Sequence, residues 1–386
     1  MNLQDLMVCR DLIDEKLFDD KDKYKVAARL IERAETLGLS GNLYRAYVIY
    51  LLAHEPNLIS TTLELNGGKI GESLREVFIH DIKILLPILR GEFWSNLKIL
   101  NFYKPTKAAK DFINIDKLTT AQEIADAFIE HYKNFGYGDI ATYRVFRWDN
   151  GLIGVKNFET IRLADLIGYA HQKELLTGNT TAFVNGKPAN NVLLVGARGT
   201  GKSSGVKALV NEYYAQGLRL VQITKPQLKN LPEIMETLRQ FMSKKFIIFL
   251  DDLSFEESEA EYKYLKSAIE GGVEARPENV LIYATSNRRH LIRETWRDRS
   301  DEPEDLYRDD STNETISLSD RFGLIIHYYA PSQAEYLEII RSMLKRRGIE
   351  LDGETLRIEG LRWEMTHSGR NGRTAQQFVN YYLGQR

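Results

Sequence analysis

The feature that most constrains this chain is the segment Gly196–Ser203, which reads G-x-x-x-x-G-K-S. It directly follows the apolar run Val192–Val195 and directly precedes a stretch with apolar residues at helical spacing. In such a strand–loop–helix setting, glycines let several backbone N–H groups point at one anion, and the helix N-terminus adds partial positive charge. The segment therefore predicts a phosphate-binding loop, with Lys202 at the β- and γ-phosphates and Ser203 as a Mg²⁺ ligand. The alternative, a Gly-rich turn without a ligand, is disfavoured by the flanking strand and helix.

The composition is that of an ordinary globular protein with room for two or three domains. The 386 residues are 43% hydrophobic and 27% charged, and the net charge of −2 gives the whole chain no bias toward nucleic acid. Cys9 is the single cysteine, so no intrachain disulfide can form, which suits a reducing compartment. The apolar runs are far too short to span a bilayer. We therefore expect a cytoplasmic protein without a membrane partner.

Hydrophobic periodicity divides the chain into three parts. Residues 1–155 are predicted to be mainly helical, with a break at Pro87 and a small hairpin near the end of this part. Residues 156–330 alternate strands with helices, which is typical of a parallel sheet with helices on both faces. Residues 331–386 are helical again, beginning with a capping box at Ser332 and Glu335. The predicted strands lie near residues 192–195, 219–223, 246–250, 280–285 and 323–328.

Two further segments end buried strands in polar residues. Phe246–Leu250 is followed by Asp251 and Asp252, and Val280–Ala284 leads to Asn287. Carboxyl ends of parallel strands meet at the edge where the phosphate loop opens, so Asp251 is predicted to hold Mg²⁺ and Asp252 to polarise an attacking water. Asn287 can donate a hydrogen bond to the γ-phosphate or to that water, with a turn-capping asparagine as the alternative.

With Ser319–Gly323 added, the order of these segments resembles the AAA+ ATPase module. In that superfamily they correspond to Walker A, Walker B, sensor 1 and the arginine-finger segment. Leu163–Gly168 resembles the segment that lines the adenine pocket, and Ser368–Ala375 resembles the sensor 2 helix of the lid. The run from Ile161 to Phe378 is most similar to an uncharacterised bacterial family of AAA+ ATP-binding proteins, a resemblance supported by two phrases, Lys187–Leu194 and Glu274–Val280.

The resemblance implies a fold and a set of site residues. The fold is an α/β AAA+ P-loop module with a five-stranded parallel sheet, a C-terminal helical lid and a mainly helical N-terminal domain. Asp252, Asn287 and Arg321 would be catalytic, and Ser203 and Asp251 would hold the metal. The residues that would bind ATP are Ile167, Gly168, Gly196, Ala197, Arg198, Gly199, Thr200, Gly201, Lys202, Ser203, Ser204 and Arg373.

The resemblance also implies a role for Arg321 and for one arginine of the lid. Arg321 would act in trans, as a finger on ATP bound by a neighbouring subunit, where it would neutralise charge on the γ-phosphoryl oxygens. The alternative is a surface arginine paired with Asp320. In the lid, Arg373 would contact the nucleotide, and Arg370 is a second candidate because both precede the last helix.

Three function classes follow. The first is an ATP- and Mg²⁺-dependent AAA+ machine that forms a homo-oligomeric ring or partial ring and remodels a macromolecular partner, more readily a protein than a nucleic acid. The second is a slow nucleotide-gated switch or scaffold, which is favoured because many AAA+ enzymes carry Glu where Asp252 stands. The third, a P-loop kinase or a GTPase, is disfavoured because the chain lacks N-K-x-D and because a kinase leaves Asn287 and Arg321 unexplained. The charge-dense stretch 288–310 is predicted to be a solvated loop, with a basic face that meets a neighbouring subunit or a nucleic-acid phosphate chain as the alternative. Its mixed charge disfavours nucleic acid.

Overall fold

The structure, a computed structural model, describes residues 3–12, 23–108, 113–255, 261–270, 276–287, 291 and 318–385. The chain divides into two compact units. The first comprises Met1–Tyr143, Ala215–Gly217 and Arg239–Lys244, and the second comprises Arg144–Tyr214, Leu218–Leu238 and Lys245–Arg386. The predicted division after residues 155 and 330 stays a prediction.

The first unit is helical, as expected from its periodicity. Its helices are α1 (Lys23–Leu37), α2 (Leu43–His54), α3 (Leu58–Leu65), α4 (Glu72–Leu89), α5 (Ala121–Phe135) and α6 (Gly138–Thr142). The short helix α3 begins at a reciprocal cap, in which Asn57 and Ser60 each accept the other's backbone N–H. The predicted break at Pro87 is wrong, because α4 continues to Leu89. A proline in the last turn removes one hydrogen bond of a helix that is ending anyway.

A fully buried ion pair lies in the core of this unit. Lys244 Nζ lies 2.8 Å from Glu64 Oε1, and both side chains are at most 1% exposed. The ammonium also donates to the carbonyl of Tyr132 at 2.7 Å and to that of Lys133 at 2.8 Å. Ser243 Oγ donates to the other carboxylate oxygen of Glu64 at 2.6 Å. These contacts fix the segment 239–244 to helices α3 and α5, since a buried charge is tolerated only when it is paired and hydrogen-bonded.

In the described part of the second unit, the strands form one seven-stranded sheet. Its strands are β1 (Val145–Trp148), β2 (Leu152–Gly154), β3 (Val192–Gly196), β4 (Leu218–Ile223), β5 (Lys245–Leu250), β6 (Val280–Ser286) and β7 (Leu324–Tyr328), in the spatial order β2-β1-β4-β5-β6-β3-β7. All neighbouring pairs are parallel except β1 with β2. Consecutive residues of β5 and β6 are buried, so both faces of the sheet are covered.

The sheet has two strands more than the five that the sequence predicts. The extra strands are the expected hairpin, which joins the sheet instead of standing apart from it. Val145 of β1 pairs in parallel register with Leu220 of β4. The edge that β4 would otherwise expose is thereby covered, which removes a row of unpaired backbone groups. The α/β fold class is confirmed.

The helices of this unit are α7 (Ala170–Val184), α8 (Lys202–Tyr213), α9 (Leu231–Arg239), α10 (Glu261–Glu270), α11 (Gln333–Lys345), α12 (Gly353–Thr366) and α13 (Gly372–Gly384). Helices α7 and α8 share one apolar core with the strands. The last three helices form a second small core around Tyr336, Ile340 and Phe378. The capping box predicted at Ser332 and Glu335 is confirmed. Among the described residues, no helix combines the length and the apolar character needed to cross a membrane.

Two buried histidines make the helical unit sensitive to acid. Burial lowers the pKa of His54 and of His131 from 6.5 to about 4. Unfolding restores the ordinary pKa, so the unfolded chain binds more protons between pH 6.5 and 4, and stability falls as the pH falls through that window. Each histidine should lower the free energy of unfolding by up to about 3 kcal/mol when the pH falls to 4.

We expect His54→Gln to flatten part of this pH dependence, because one of the two buried histidines is then absent. Urea titrations at several pH values, read out by pulsed hydrogen exchange of α5 peptides, measure the effect. If the free energy of unfolding depends on pH equally in the wild type and in His54→Gln, His54 does not cause the acid sensitivity.

Candidate nucleotide site

The glycine loop that the sequence predicts to bind phosphate lies between β3 and α8. Its three glycines all have positive φ, 138° at Gly196, 73° at Gly199 and 89° at Gly201. A Cβ at Gly196 would collide with the carbonyl of Tyr328 on the neighbouring strand β7. Thr200 Oγ1 donates to the carbonyl of Ala197 at 2.9 Å and closes the loop on itself. The loop thus needs glycine both for its backbone angles and for the close approach of β7.

Lys202, the first residue of α8, ties the loop to the end of β6. Its ammonium donates to the carbonyls of Gly196 at 2.9 Å and Ala197 at 2.7 Å, and to Asn287 Oδ1 at 3.1 Å. The residue is 6% exposed. Burial lowers the pKa of Lys202, and the charges of Asp252 and Asp251 oppose that shift. A desolvated cation beside the loop is the group that a polyphosphate would reach.

The two aspartates after β5 have different partners. Ser203 Oγ donates to Asp251 Oδ1 at 2.5 Å, and Thr285 Oγ1 donates to the same oxygen at 2.7 Å. Asp252 has a φ of 55°, and its backbone N–H donates to Thr285 Oγ1 at 2.9 Å. Its carboxylate accepts from Asn287 Nδ2. Asp251 therefore faces the loop, whereas Asp252 faces the end of β6.

This donor set fits a Mg²⁺ ion that arrives with a nucleotide. Ser203 Oγ and Asp251 Oδ1 are neighbouring hard oxygen donors. Mg²⁺ is commonly held by one or two such protein groups, with phosphates and waters as the remaining ligands. The described residues contain no group of three His, Cys, Asp or Glu side chains that could hold a metal by themselves. The site therefore fits a shared metal and not a protein-only cage.

These side chains line one cleft of about 910 Å³. The residues of the predicted site that line it are Ile167, Arg198, Gly199, Thr200, Gly201, Lys202, Ser203, Ser204, Asp251, Asp252, Asn287 and Arg373. Gly196 and Ala197 reach the site through the carbonyls that bind Lys202. Gly168 precedes Tyr169, which lines the cleft, and has a φ of 78°.

Sequence reasoning missed several lining residues, among them Ile161, Tyr169, Thr285, Ile339, Met343, Arg346, Arg347, Gln376 and Gln377. The residues on α11 and α13 were missed because the apolar spacing of these helices predicted only packing against a core. Thr285 carried a readable signal, because it lies two residues before Asn287 on a strand whose neighbour ends in Asp251.

The two candidate lid arginines occupy different environments. Arg370 Nε lies 3.1 Å from Glu364 Oε1 in an ion pair. Arg373 lines the cleft and has no hydrogen-bond or ion-pair partner within the described part of the chain. The geometry favours Arg373 for nucleotide contact. Arg321 pairs with Glu270 of α10 and is not among the described residues that line the cleft. The charged stretch 288–310 lies outside the described residues, except Leu291.

The lid helix α13 begins directly against the phosphate loop. The backbone N–H of Gly372 donates to the carbonyl of Gly199 at 2.9 Å. Asn371 caps this helix, accepting the N–H of Thr374 at 2.9 Å, and its side chain fills the space where a Cβ of Gly199 would lie. Elsewhere, Arg346 donates to the carbonyls of Ala164 and Asp165, which ties the end of α11 to the segment before α7. The loop and the lid are therefore in direct hydrogen-bonded contact.

A model of the family described as "Protein of unknown function (DUF815)" matches residues 141–386. The chain belongs to this DUF815 family. The match covers the whole sheet and the C-terminal helices, and it confirms the resemblance to an uncharacterised family. The glycine loop follows β3, Asp251 follows β5 and Asn287 follows β6, which lies between those two strands, so this DUF815 member has an α/β fold of the P-loop type.

Solved structures of AAA+ proteins are similar to this DUF815 member at low identity. The branch migration motor RuvB of Thermotoga maritima is 18% identical over 57% of this chain, with a TM-score of 0.39. The chain spans 63% of the length of that RuvB structure. The FIGL-1 AAA domain in complex with ADP is 18% identical over 58% of this chain and 73% of its own, with a TM-score of 0.40. No curated protein matches the chain.

We expect the contact between Gly199 and Asn371 to make Gly199→Ala more costly than backbone strain alone. Gly348→Ala is a matched control, because its φ of 72° equals that of Gly199 within a degree and nothing lies within 4 Å of its Cβ position. Left-handed backbone should cost about 1–2 kcal/mol at both positions, and overpacking should add about 1–3 kcal/mol at Gly199 alone.

Chemical unfolding of the two variants measures the difference. Asn371→Gly in the Gly199→Ala background makes room for the new methyl group at a small capping cost, and should recover part of the loss. Equal destabilisation by both alanines would show that Asn371 does not press on Gly199.

Proposed function

We propose that this chain binds ATP with Mg²⁺ and hydrolyses it. The observation that carries the proposal is the hydrogen-bonded set joining Lys202 to Asn287, Asn287 to Asp252, and Ser203 to Asp251. Three segments distant in sequence supply a cation, a metal-ligand pair and a carboxylate next to a glycine loop. Catalysis of phosphoryl transfer consists mainly of positioning and electrostatic stabilisation, and these are the groups that it requires.

The residues have distinct roles in this proposal. The loop N–H groups and Lys202 bind the β- and γ-phosphates, and Ser203 and Asp251 hold the Mg²⁺ that neutralises them. Asp252 accepts a proton from, or orients, the attacking water, and Asn287 holds Asp252 in place. Arg373 contacts the phosphates from the lid. The side chains of Ile167, Tyr169 and Met343 provide an apolar surface for the adenine base of the nucleotide.

Arg321 motivates the oligomeric part of the proposal. Its side chain pairs with Glu270 and is not among the described residues that line the cleft of its own chain. An arginine that completes a site from outside must be supplied by a neighbouring copy, so we propose a ring or partial ring of identical subunits. ATP turnover in such an assembly would remodel or assemble a macromolecular partner.

A slow nucleotide-gated switch is the second candidate function. It is favoured by the hydrogen bond that Asn287 donates to the carboxylate of Asp252, which engages one oxygen of the proposed base. In this reading, ATP binding moves the lid through Gly199 and turnover is rare. Steady-state turnover at high protein concentration distinguishes the two functions.

Nucleotide binding should depend on Lys202 and not on its helical neighbour. We expect Lys202→Ala to weaken Mg²⁺-ATP binding by about 10²-fold, close to 3 kcal/mol, because a charge-assisted contact is lost in a desolvated site. Lys207→Ala is the matched control, since Lys207 lies on the same helix and pairs with Glu159 at 3.1 Å. Isothermal titration calorimetry measures both. Unchanged affinity in Lys202→Ala would remove the basis of the proposal.

The trans role of Arg321 can be tested by mixing two inactive variants. Arg321→Ala should lower turnover by about 10³-fold, and Lys202→Ala should abolish it. In a random equimolar mixture, a site is active when its own chain carries Lys202 and its neighbour carries Arg321, so about one quarter of the wild-type rate should return. A mixture as inactive as its components would exclude a trans finger.

A further inference from the structure

An exposed apolar cluster occupies one short segment of the helical unit. It consists of Trp94, Ile99 and Phe102, which are 57%, 57% and 69% exposed, and we name it the aromatic patch. The rings of Trp94 and Phe102 are in contact, with centroids 5.7 Å apart and planes tilted by 43°. Single exposed apolar residues are common, whereas a contiguous group of large ones marks an interaction site.

The segment that carries the patch is held firmly by its own contacts. Asn101 Nδ2 donates to the carbonyl of Ser95, and Asn101 Oδ1 accepts the N–H of Ser95, both at 2.9 Å. Tyr103 exchanges two backbone hydrogen bonds with Gly41, at 2.8 and 2.9 Å. Leu100, the residue before Asn101, is fully buried. The patch residues are therefore exposed by an ordered backbone and not by fraying.

The charges around the patch are mainly positive, with one carboxylate beside it: Glu35 of α1 accepts from Tyr103 Oη at 2.7 Å and from the N–H of Thr106 at 3.1 Å. Lys98, Lys104 and Lys107 are exposed, and residues 93–108 contain no carboxylate. Within the described chain, none of these three ammonium groups has an ion-pair or hydrogen-bond partner. The nearest acid in sequence before the segment, Glu92, lies 3.9 Å from Arg90. An apolar surface with free cations at its rim complements a ligand that is both apolar and negatively charged.

The shape of the patch decides between two ligands of that description. Single-stranded nucleic acid binds on aromatic rings that offer open faces to successive bases, often with arginine. Here the two rings contact each other, the third apolar residue is aliphatic, and residues 93–108 contain no arginine. Two aromatic side chains in contact, with an exposed aliphatic side chain in the same segment, suit apolar peptide side chains instead.

We propose that the aromatic patch binds an acidic peptide segment with apolar anchors on a partner protein. This inference gives the proposed remodelling function its class of partner and in that respect rests on it. Binding at the patch can be measured without nucleotide, so a failure here is distinguishable from a failure of ATP binding or hydrolysis. The patch lies outside the residues that the DUF815 model matches, so partner binding and nucleotide chemistry use different parts of the chain.

The test is a selection with the full chain as bait. A phage-displayed library of random 16-residue peptides is first depleted on a Trp94→Ser/Phe102→Ser variant and then selected on wild type. We expect enriched peptides that combine Asp or Glu with Leu, Phe or Trp. The most enriched peptide is then synthesised, and its affinity is measured by fluorescence anisotropy at low and high salt.

Two pairs of variants with matched controls decide the result. Trp94→Ser/Phe102→Ser should weaken peptide binding at least about tenfold, because aromatic anchors dominate such interfaces. Leu58→Ser/Leu65→Ser, at side chains of the same unit that are 53% and 61% exposed, should not. Lys98→Glu/Lys104→Glu should weaken binding by about tenfold at low salt and less at high salt, whereas Lys69→Glu/Lys83→Glu should not.

Several outcomes would overturn the proposal. These are selection of no peptides, selection of basic peptides, equal effects of the patch variants and their controls, and tight patch-dependent binding of oligo-dT, which would assign the surface to nucleic acid. If the aromatic variant fails to fold, as judged by circular dichroism, selection without depletion supplies the peptide and the lysine pair decides the question.

Discussion

The proposed site depends on a single buried cation. Lys202 Nζ is held by two carbonyls of its own loop and by Asn287 Oδ1 of a neighbouring strand. A desolvated ammonium must be surrounded by acceptors, so the loop curls tightly and the end of β6 is drawn toward it. In the proposed function, phosphate oxygens would compete for the same three donors. A bound triphosphate would therefore change the hydrogen bonding of Asn287, and through Asn287 that of Asp252.

The same loop also contacts the lid. The carbonyl of Gly199 accepts from the first residue of α13, and Asn371 caps that helix while packing on Gly199. Because Gly199 serves both contacts, loop conformation and lid position are mechanically linked. The linkage is local, and it consists of one hydrogen bond between the loop and α13 and one packed side chain.

Sequence reasoning located the fold and the chemistry where motif and strand coincide. Lys202, Asp251 and Asn287 each follow a buried apolar strand, and parallel register brings such strand ends to one edge. It did not find what depends on contacts between distant segments. Arg370 differs from Arg373 because it forms an ion pair with Glu364, near the end of α12. The sequence pattern does not show how the loop after α12 is oriented, so it could not predict this pair. Likewise, the hairpin was visible, but its pairing with β4 was not, because pairing across about 70 residues has no local signature.

Asp252 shows why residue type alone is a weak guide to activity. Its φ of 55° lies in the left-handed region, which Asp adopts more readily than Glu because its short side chain can bond locally. In this conformation its N–H bonds Thr285 Oγ1 and its carboxylate reaches Asn287. The left-handed backbone at this position therefore suits Asp better than Glu. In the proposed function, the rate of turnover would depend on how firmly the hydrogen bond from Asn287 holds Asp252 once phosphate contacts Lys202.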